Sequence, residues 1–175
     1  MAERTLAERI AADFEQFIDN WHAAPEVFDN ELDALIHRWY YEILTKRQYF
    51  DFKEQPYFSP SSANSCRREL YEKLRGAERD QTDIKPYQGR WQRIGTAIGD
   101  MIQRDILFAE KHYERVIGEK PRFKFERTPE GYPMFEEFAK RLVPVEYGGQ
   151  KFALYGTCDG VMLYTTEDGE LLRVG

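Results

Sequence analysis

The sequence has no run of about 18 uncharged apolar residues, the length that a membrane-spanning helix requires. Its first residues, MAERTLAERIAADFEQF, are acidic and amphipathic, whereas an export signal starts with basic residues and continues with apolar ones. Two cysteines, Cys66 and Cys158, are too few for a four-thiolate zinc or iron–sulfur site. We therefore expect a cytoplasmic protein with reduced thiols and no membrane partner.

The sequence also has fewer positive than negative residues. Lys and Arg number 25 against 31 Asp and Glu, which gives a formal net charge of -6. Such a chain repels polyanions as a whole, so a nucleic-acid partner requires a local basic surface. The three histidines have no metal-ligand spacing, and the glycine-rich patterns of nucleotide-binding loops are absent.

Hydrophobic residues make up 42% of the 175 positions and aromatic residues 15%, enough for a folded domain with a buried core. Apolar residues spaced three and four apart predict one helix over about 5–22 and a second helix that is capped by Asn30 and ends at about 46. We interpret residues 1–47 as an antiparallel helical pair and 48–175 as an α+β domain, although the two can form one continuous domain. The aromatic segment 48–62 predicts an ordered crossing loop.

Two more helices are predicted in the middle of the chain. Ser59 and Pro60 mark a helix start, and this helix ends at Gly76. Its predicted inward-facing residues are Ala63, Cys66, Leu70 and Leu74. A long helix follows from about 88 to 116, with an apolar stripe formed by Ile94, Ile98, Met101, Ile102, Ile106 and Tyr113. Gly95 and Gly99 interrupt this helix at a cost of roughly 1 kcal/mol each, for which close approach of another backbone is the simplest compensation.

After Pro121 the sequence period changes to that of strands. FKFER alternates, MFEEFAKRL predicts a short helix, and VPVEY, KFALYGTCDGVMLYT and ELLRV predict strands. Gly148-Gly149 and Asp168-Gly169 predict hairpin turns, the second of the two-residue type. The fold class is therefore α+β, with a helical N-terminal half packed on a C-terminal antiparallel meander.

Asp159 is the sharpest candidate for chemistry. It is a carboxylate within a strand pattern, and Gly160 follows it. Because a buried unpaired charge is costly, a metal ion or a basic side chain is the usual partner in such a position. The alternative interpretation is a turn aspartate in a hairpin between two shorter strands.

Three segments together resemble a known family. SPSSANSCRRELYEKLRG, RIGTAIGDMIQRDI and YGTCDGVMLY, the last followed by a DG turn and ELLRV, occur in the order seen in PD-(D/E)XK nucleases of the RecB-like and phage exonuclease type. The resemblance covers roughly residues 57–175. It implies a partial restriction-endonuclease-like core, and Mg²⁺- or Mn²⁺-dependent cleavage of DNA or RNA in phage or mobile-element biology. Asp159 matches the family's metal-binding aspartate.

The sequence departs from the family pattern at two motifs. Gly95 matches the glycine of the family's Gly-x-x-x-His helix motif, but Gly99 occupies the histidine position. The Glu-x-Lys motif is not found by Gly175. Three hypotheses follow: the motif lies downstream of the sequence considered, other acids complete the site, or the domain binds without cutting, for example as a phage inhibitor of a CRISPR effector or other nucleic-acid complex.

Asp100 and Glu69 are the best candidates for an unconventional second acid, because their helices flank the catalytic sheet in the resemblance. An ion pair with Arg104, four residues along the helix, is the alternative explanation for Asp100. For Glu69 the alternative is a charged, solvated helix surface.

A nucleic-acid surface is predicted on the same two helices. Phosphate contacts require clustered donors, and the candidates are Ser61, Ser62, Arg67, Arg68, Lys73, Arg93 and Arg104. The alternative is a solvated face balanced by neighbouring acids. A third class of function, an assembly module that forms homo-oligomers through the aromatic N-terminal helices, also stays open.

Overall fold

Four α-helices and six strands lie in residues 4–46, 56–77 and 83–175, the ranges that a computed structural model describes. The helices are α1 (Leu6–Ala23), α2 (Asn30–Lys46), α3 (Arg67–Leu74) and α4 (Pro86–Ile117). The strands are β1 (Tyr57–Phe58), β2 (Phe123–Phe125), β3 (Glu136–Tyr147), β4 (Gln150–Cys158), β5 (Met162–Thr165) and β6 (Leu171–Val174). This confirms the α+β class, with helices in the first half and strands in the second.

The first two helices lie close to their predicted bounds. At the start of α1, the Thr5 hydroxyl accepts the Glu8 N–H, and the Glu8 carboxylate accepts the Thr5 N–H at 2.7 Å. The predicted cap of α2, Asn30, is wrong by one residue. Asp29 caps α2 instead, because its carboxylate accepts the Leu32 N–H at 3.0 Å.

Asp29 also joins α2 to α4. Its carboxylate accepts hydrogen bonds from Lys111 at 2.6 Å and His112 at 2.7 Å. The hydrogen bond from Lys111, followed by the bond from the Leu32 N–H, holds the pKa of Asp29 well below its ordinary value. The Asp29 carboxylate therefore caps the start of α2 and binds two side chains of α4.

The predicted helix from Ser59 to Gly76 is two separate elements. Pro60–Ser62 form a 3₁₀ turn, and α3 begins again at Arg67 with Cys66 as its cap. The Ser59 N–H donates to the Ser62 hydroxyl at 3.1 Å, and that hydroxyl donates back to the Ser59 carbonyl at 2.7 Å. These local bonds close the turn early. Ala63 and Cys66 are consequently exposed rather than inward-facing, whereas Leu70 and Leu74 are half-buried.

Helix α4 has a buried second half and an exposed first half. Its buried side chains all lie between Gln103 and Tyr113. The predicted apolar stripe is wrong for the first half, since Ile98 is 52% exposed and neighbouring Ile94 and Met101 are similarly exposed. At about 1.5 Å per residue, the shorter α1 and α2 cannot cover the full length of α4.

The expected backbone contact at the two glycines of α4 is also wrong. Among the described residues, no atom lies within 4 Å of the position that a Cβ would occupy at Gly95 or Gly99. Open space, rather than close helix packing, surrounds these glycines. Their helix penalty is therefore not offset by any contact in this part of the chain.

The strands form two three-stranded sheets. The first has the order β1-β4-β3, with β1 parallel to β4 and β3 antiparallel to it. The second has the order β2-β5-β6 and is antiparallel throughout. The C-terminal meander is thus split between two sheets, and Tyr57–Phe58 from the predicted crossing loop adds the parallel strand. Residues 48–55 of that loop lie outside the described residues.

The short helix predicted over residues 134–142 is wrong. From Glu136 onward this segment belongs to β3, where Arg141 pairs with Gly156 and Leu142 with Tyr155. Pairing with β4 overrides the local helical spacing. A register shift between Glu136 and Arg141 shows that the strand begins irregularly.

Both predicted hairpin turns exist, with one difference. The hairpin turn predicted at Gly148 and Gly149 is a two-residue turn in which both residues have positive φ. In the β5–β6 turn only Gly169 has positive φ, and the Thr166 N–H donates to the Glu170 carbonyl at 2.9 Å. Three residues, not two, therefore form that loop.

An aromatic cluster joins the helices to the second sheet. Phe123 of β2 is completely buried, with its ring centroid 5.2 Å from that of Phe14, 5.5 Å from that of Phe17 and 4.8 Å from that of Tyr164. Phe17 also stacks on Tyr113 of α4 at 4.7 Å. The N-terminal helices and the strands thus share one core. Within the described ranges, no helix has the length and apolarity needed to span a membrane.

We expect Asp29→Asn to destabilise the protein at neutral pH, and the difference from wild type to shrink in acid. A carboxylate whose pKa is lowered on folding contributes stability above its unfolded value, near 3.8, and loses it as the pH falls through the folded value. Urea unfolding between pH 7 and pH 2 measures this. Asp19→Asn, at an exposed carboxylate of α1, is the control. A pH-independent difference would contradict the prediction.

We expect Gly95→Ala and Gly99→Ala each to raise the free energy of unfolding by up to about 1 kcal/mol. Both positions are helical and have space for a methyl group. Gly160→Ala should have the opposite effect, because its Cβ would lie 2.7 Å from Phe125 Cε1. Urea unfolding of the three variants tests the contrast, and destabilisation by Gly99→Ala would refute it.

Candidate functional site

The candidate site lies where the chain crosses between the two sheets. Strand β4 ends at Cys158 in the first sheet, and β5 begins at Met162 in the second. Between them, the Val161 N–H donates to the Met134 carbonyl at 2.8 Å, and the Val161 carbonyl accepts the Glu126 N–H at 2.9 Å. Asp159 therefore lies at a junction of two sheets. The alternative interpretation of Asp159 as a hairpin-turn residue is wrong, because β4 and β5 do not pair.

Packing explains why glycine follows Asp159. The ring of Phe125 occupies the space beside Gly160 that any side chain would need. The Cys158 thiol donates to the Gly160 carbonyl at 3.0 Å, which further fixes the bend. The Asp159 side chain is exposed beside this rigid bend.

An open cavity of about 800 Å³ lies beside the junction. Asp159 and Glu136 are its two residues with side-chain carboxylates. Gly95 and Gly99 of α4 also line it. The other lining residues are Phe14, Thr96, Ile102, Gln103, Ile106, Phe125, Cys158, Gly160, Met162 and Gly175. The absence of side chains at the two glycines keeps this space open.

Glu136 enters the cavity from the first position of β3, where its Cα pairs with that of Cys158. Its φ of 48° is the only positive value at a non-glycine residue in the described ranges. Left-handed backbone is unfavourable for a side chain with a Cβ, and such strain concentrates at functional positions. The strained residue is thus also the second carboxylate of the cavity.

Gln103 is a buried polar residue that contacts both Glu136 and Asp159. It is 4% exposed, and its Nε2 donates to Glu136 Oε1 at 3.0 Å and to the Asp159 backbone carbonyl at 3.1 Å. The Tyr40 hydroxyl of α2 donates to Gln103 Oε1 at 3.1 Å. One amide therefore links α2, α4, the start of β3 and the end of β4.

Burial, followed by the negative charges of Asp100 and Glu136, raises the pKa of Tyr40 to about 12. The hydroxyl consequently keeps its proton at every physiological pH. It remains a hydrogen-bond donor to Gln103.

Of the predicted second acids, neither Asp100 nor Glu69 lines the cavity. Asp100 lies on α4 near Tyr40, whose hydroxyl is 3.4 Å from the Asp100 carbonyl. Its predicted ion pair with Arg104 is wrong, because Arg104 binds Asp33 of α2, with Nη2 3.0 Å from Oδ1. Glu69 is exposed on the first turn of α3.

The predicted nucleic-acid contacts are spread over separate places. Arg67 and Arg68 of α3 and Arg93 of α4 are exposed, whereas Arg104 is neutralised by Asp33. Lys73 Nζ lies 4.1 Å from the ring centroid of Tyr57.

The two predicted serines are already engaged in local hydrogen bonds. The Ser61 and Ser59 hydroxyls are 2.8 Å apart, and the Ser62 hydroxyl closes the 3₁₀ turn. The Ser62 proton is thus committed to the Ser59 carbonyl rather than available to a phosphate.

Across the described ranges, no group of three or more His, Cys, Asp or Glu side chains is placed to hold a metal ion. The cavity offers two carboxylates. That number still fits Mg²⁺, which usually retains several waters and is held by one or two carboxylates together with substrate phosphates.

Glu136 differs from other half-buried acids in its partners. Asp13, Asp29, Asp33, Glu110 and Glu126 are each paired with a Lys or Arg. Within the described residues, neither Glu136 nor the exposed Asp159 forms an ion pair, and no Lys or Arg lines their cavity. No basic side chain of the cavity lining therefore competes with a cation for these two carboxylates.

Comparison with protein-family models, curated proteins and solved structures finds no match for this chain. The resemblance to PD-(D/E)XK nucleases therefore depends on the sequence motifs alone.

The sequence pattern missed Glu136 and Gln103. Glu136 falls in the segment predicted as a helix, so its pairing beside Asp159 was not foreseeable. A signal for Gln103 does exist, because Gly95, Gly99 and Gln103 are spaced four apart and therefore lie along one helix face. That face borders the cavity.

We expect Asp159→Ala to change the free energy of unfolding by less than about 0.5 kcal/mol, because the side chain is exposed and makes no ion pair within the described residues. Glu110→Ala is the contrast. Its carboxylate accepts the Phe125 N–H, pairs with Arg127 and is mostly buried, so its loss should cost about 1–3 kcal/mol. Equal losses in urea unfolding would make Asp159 a structural residue.

Proposed function

We propose that this protein is a divalent-metal-dependent, nuclease-like protein that cleaves phosphodiester bonds in DNA or RNA. The observation that carries the proposal is the meeting of Asp159 and Glu136 in one open cavity, from different strands and without a basic partner among the described residues. Carboxylates left unpaired in one place are suited to a cation. The motif resemblance, in which Asp159 matches a metal-binding aspartate, agrees with this interpretation.

Asp159 and Glu136 would hold the ion, Mg²⁺ or Mn²⁺. When bound, such an ion stabilises the charge that develops on a phosphoryl group and lowers the pKa of a coordinated water. The residues of the chain would determine where that ion binds. Gly160 packs against Phe125 and fixes the bend that carries Asp159, and Gln103 fixes Glu136.

The open space that Gly95 and Gly99 leave along α4 suits the approach of a phosphate backbone. Exposed Arg90 and Arg93 lie on the same half of that helix, on a different face from the two glycines and outside the cavity lining. Because the whole protein carries a net charge of -6, these local cations must act against the overall field. We therefore expect binding that weakens steeply as the salt concentration rises.

A second candidate is a nuclease-derived protein that binds without cutting. It is favoured by one observation: among the described lining residues there is no Lys to orient or deprotonate a water. Such a protein would occupy a nucleic acid or a nucleic-acid complex, as an inhibitor of a CRISPR effector does. Binding and cleavage assays separate the two candidates.

The test uses labelled single- and double-stranded DNA and RNA with Mg²⁺, Mn²⁺ or EDTA. We expect cleavage that EDTA abolishes, and we expect Asp159→Ala and Glu136→Gln each to reduce the rate by at least about 100-fold, since each removes a metal ligand.

Asp168→Ala is the matched control, because Asp168 is also followed by glycine but lies in the β5–β6 turn away from the cavity. Cleavage that survives Asp159→Ala would refute the site assignment. Retention of nucleic acid without cleavage in either metal would favour the binding protein.

A further inference from the structure

Gln103 is a buried residue whose side-chain amide has hydrogen-bond partners at both Nε2 and Oε1. Its two Nε2 protons reach Glu136 Oε1 and the Asp159 carbonyl, and its Oε1 accepts the Tyr40 hydroxyl proton. A carboxylate and a carbonyl only accept hydrogen bonds, so Nε2 must be the atom that faces them. The chemistry of the neighbours thus fixes the orientation of the amide.

Tyr40 completes this arrangement from a different helix. Oε1 of Gln103 only accepts, so in this pair the Tyr40 hydroxyl is the donor, at 3.1 Å, and the Asp100 carbonyl at 3.4 Å is its longer alternative acceptor. A chain of hydrogen bonds therefore runs from α2 through α4 to the two strand ends.

The geometry points to Gln103 as the positioning residue of the metal site, and to Tyr40 as the residue that anchors the Oε1 end of its amide. This inference rests on the proposed function. Gln103 donates to one carboxylate through its side chain and to the backbone of the other residue, so a single amide sets how Glu136 and Asp159 lie relative to each other. Groups that orient metal ligands in this way are as important to binding as the ligands they hold.

The strain at Glu136 strengthens the case. Its positive φ is unfavourable, so the residue needs an interaction that retains this conformation. The bond from Gln103 is the side-chain hydrogen bond that Glu136 makes to a described residue. Its removal would free Glu136 to relax away from the cavity.

The test measures Mn²⁺ binding by electron paramagnetic resonance, without nucleic acid. We expect Gln103→Met, which keeps the length but removes the hydrogen bonds, to weaken Mn²⁺ binding roughly 10–100-fold. Tyr40→Phe should weaken it by less, because the amide keeps both Nε2 bonds and loses only the anchor at Oε1. Gln92→Met and Tyr41→Phe, at exposed neighbours on the same two helices, should bind as wild type does.

A spectroscopic measurement separates positioning from general destabilisation. With Tb³⁺ at saturation, luminescence lifetimes in H₂O and D₂O count the waters on the metal. We expect this count to rise in Gln103→Met, because a misplaced carboxylate is replaced by water. Circular dichroism melting checks folding, and if Gln103→Met does not fold, Tyr40→Phe decides the matter alone.

The outcomes distinguish this inference from the proposed function. If the wild type binds Mn²⁺ and loses it in Asp159→Asn, but both Gln103→Met and Tyr40→Phe bind unchanged, the positioning role is overturned and the metal site stands. If the wild type binds no Mn²⁺, the proposed metal-dependent function falls and the positioning role falls with it.

Discussion

The burial of the second half of α4 is the constraint on which the rest of the structure depends. Leu107, Phe108 and Ala109 are almost fully buried, with α1 and α2 on one side and the second sheet on the other. At about 25 cal/mol per Å² of apolar surface, this interface outweighs every single polar contact in the protein. It also determines where the helix enters the core, and Gln103 is the first buried residue of α4 along the chain.

Electrostatic contacts fix the position of α4 within this core. Asp29 holds Lys111 and His112, Asp33 holds Arg104, and on the opposite side Glu110 accepts the Phe125 N–H and pairs with Arg127. Burial raises the pKa of Glu110, although Arg127 and the Phe125 N–H partly offset this. The helix is therefore tied to α2 and to β2 at several points along its second half. This precision matters because Gln103 must reach two strand ends at once.

The sequence predicts elements well where the signal is local. The bounds of α1, α2 and α4 follow from apolar spacing, and the turn at Gly148 and Gly149 follows from the need for positive φ. It fails where partners distant in the sequence decide. Glu136 begins a strand because β4 is available to pair with it, and Ile98 is exposed because no described element buries the first half of α4. Of the candidate site, the sequence singles out Asp159 and the glycines Gly95 and Gly99, whereas Glu136 and Gln103 join Asp159 only in three dimensions.

The charge distribution distinguishes the cavity from the rest of the described structure. An acidic protein has many carboxylates to neutralise, and its partly buried ones, such as Asp29 and Glu110, each have a basic neighbour. Glu136 is an exception, because it is half-buried without a basic neighbour among the described residues and has a strained backbone beside glycines that keep the cavity open. Such strain raises the free energy of the folded state, and selection for stability alone would remove it. A cation that enters the cavity would offset the charge, and the same open space would let a phosphate follow it.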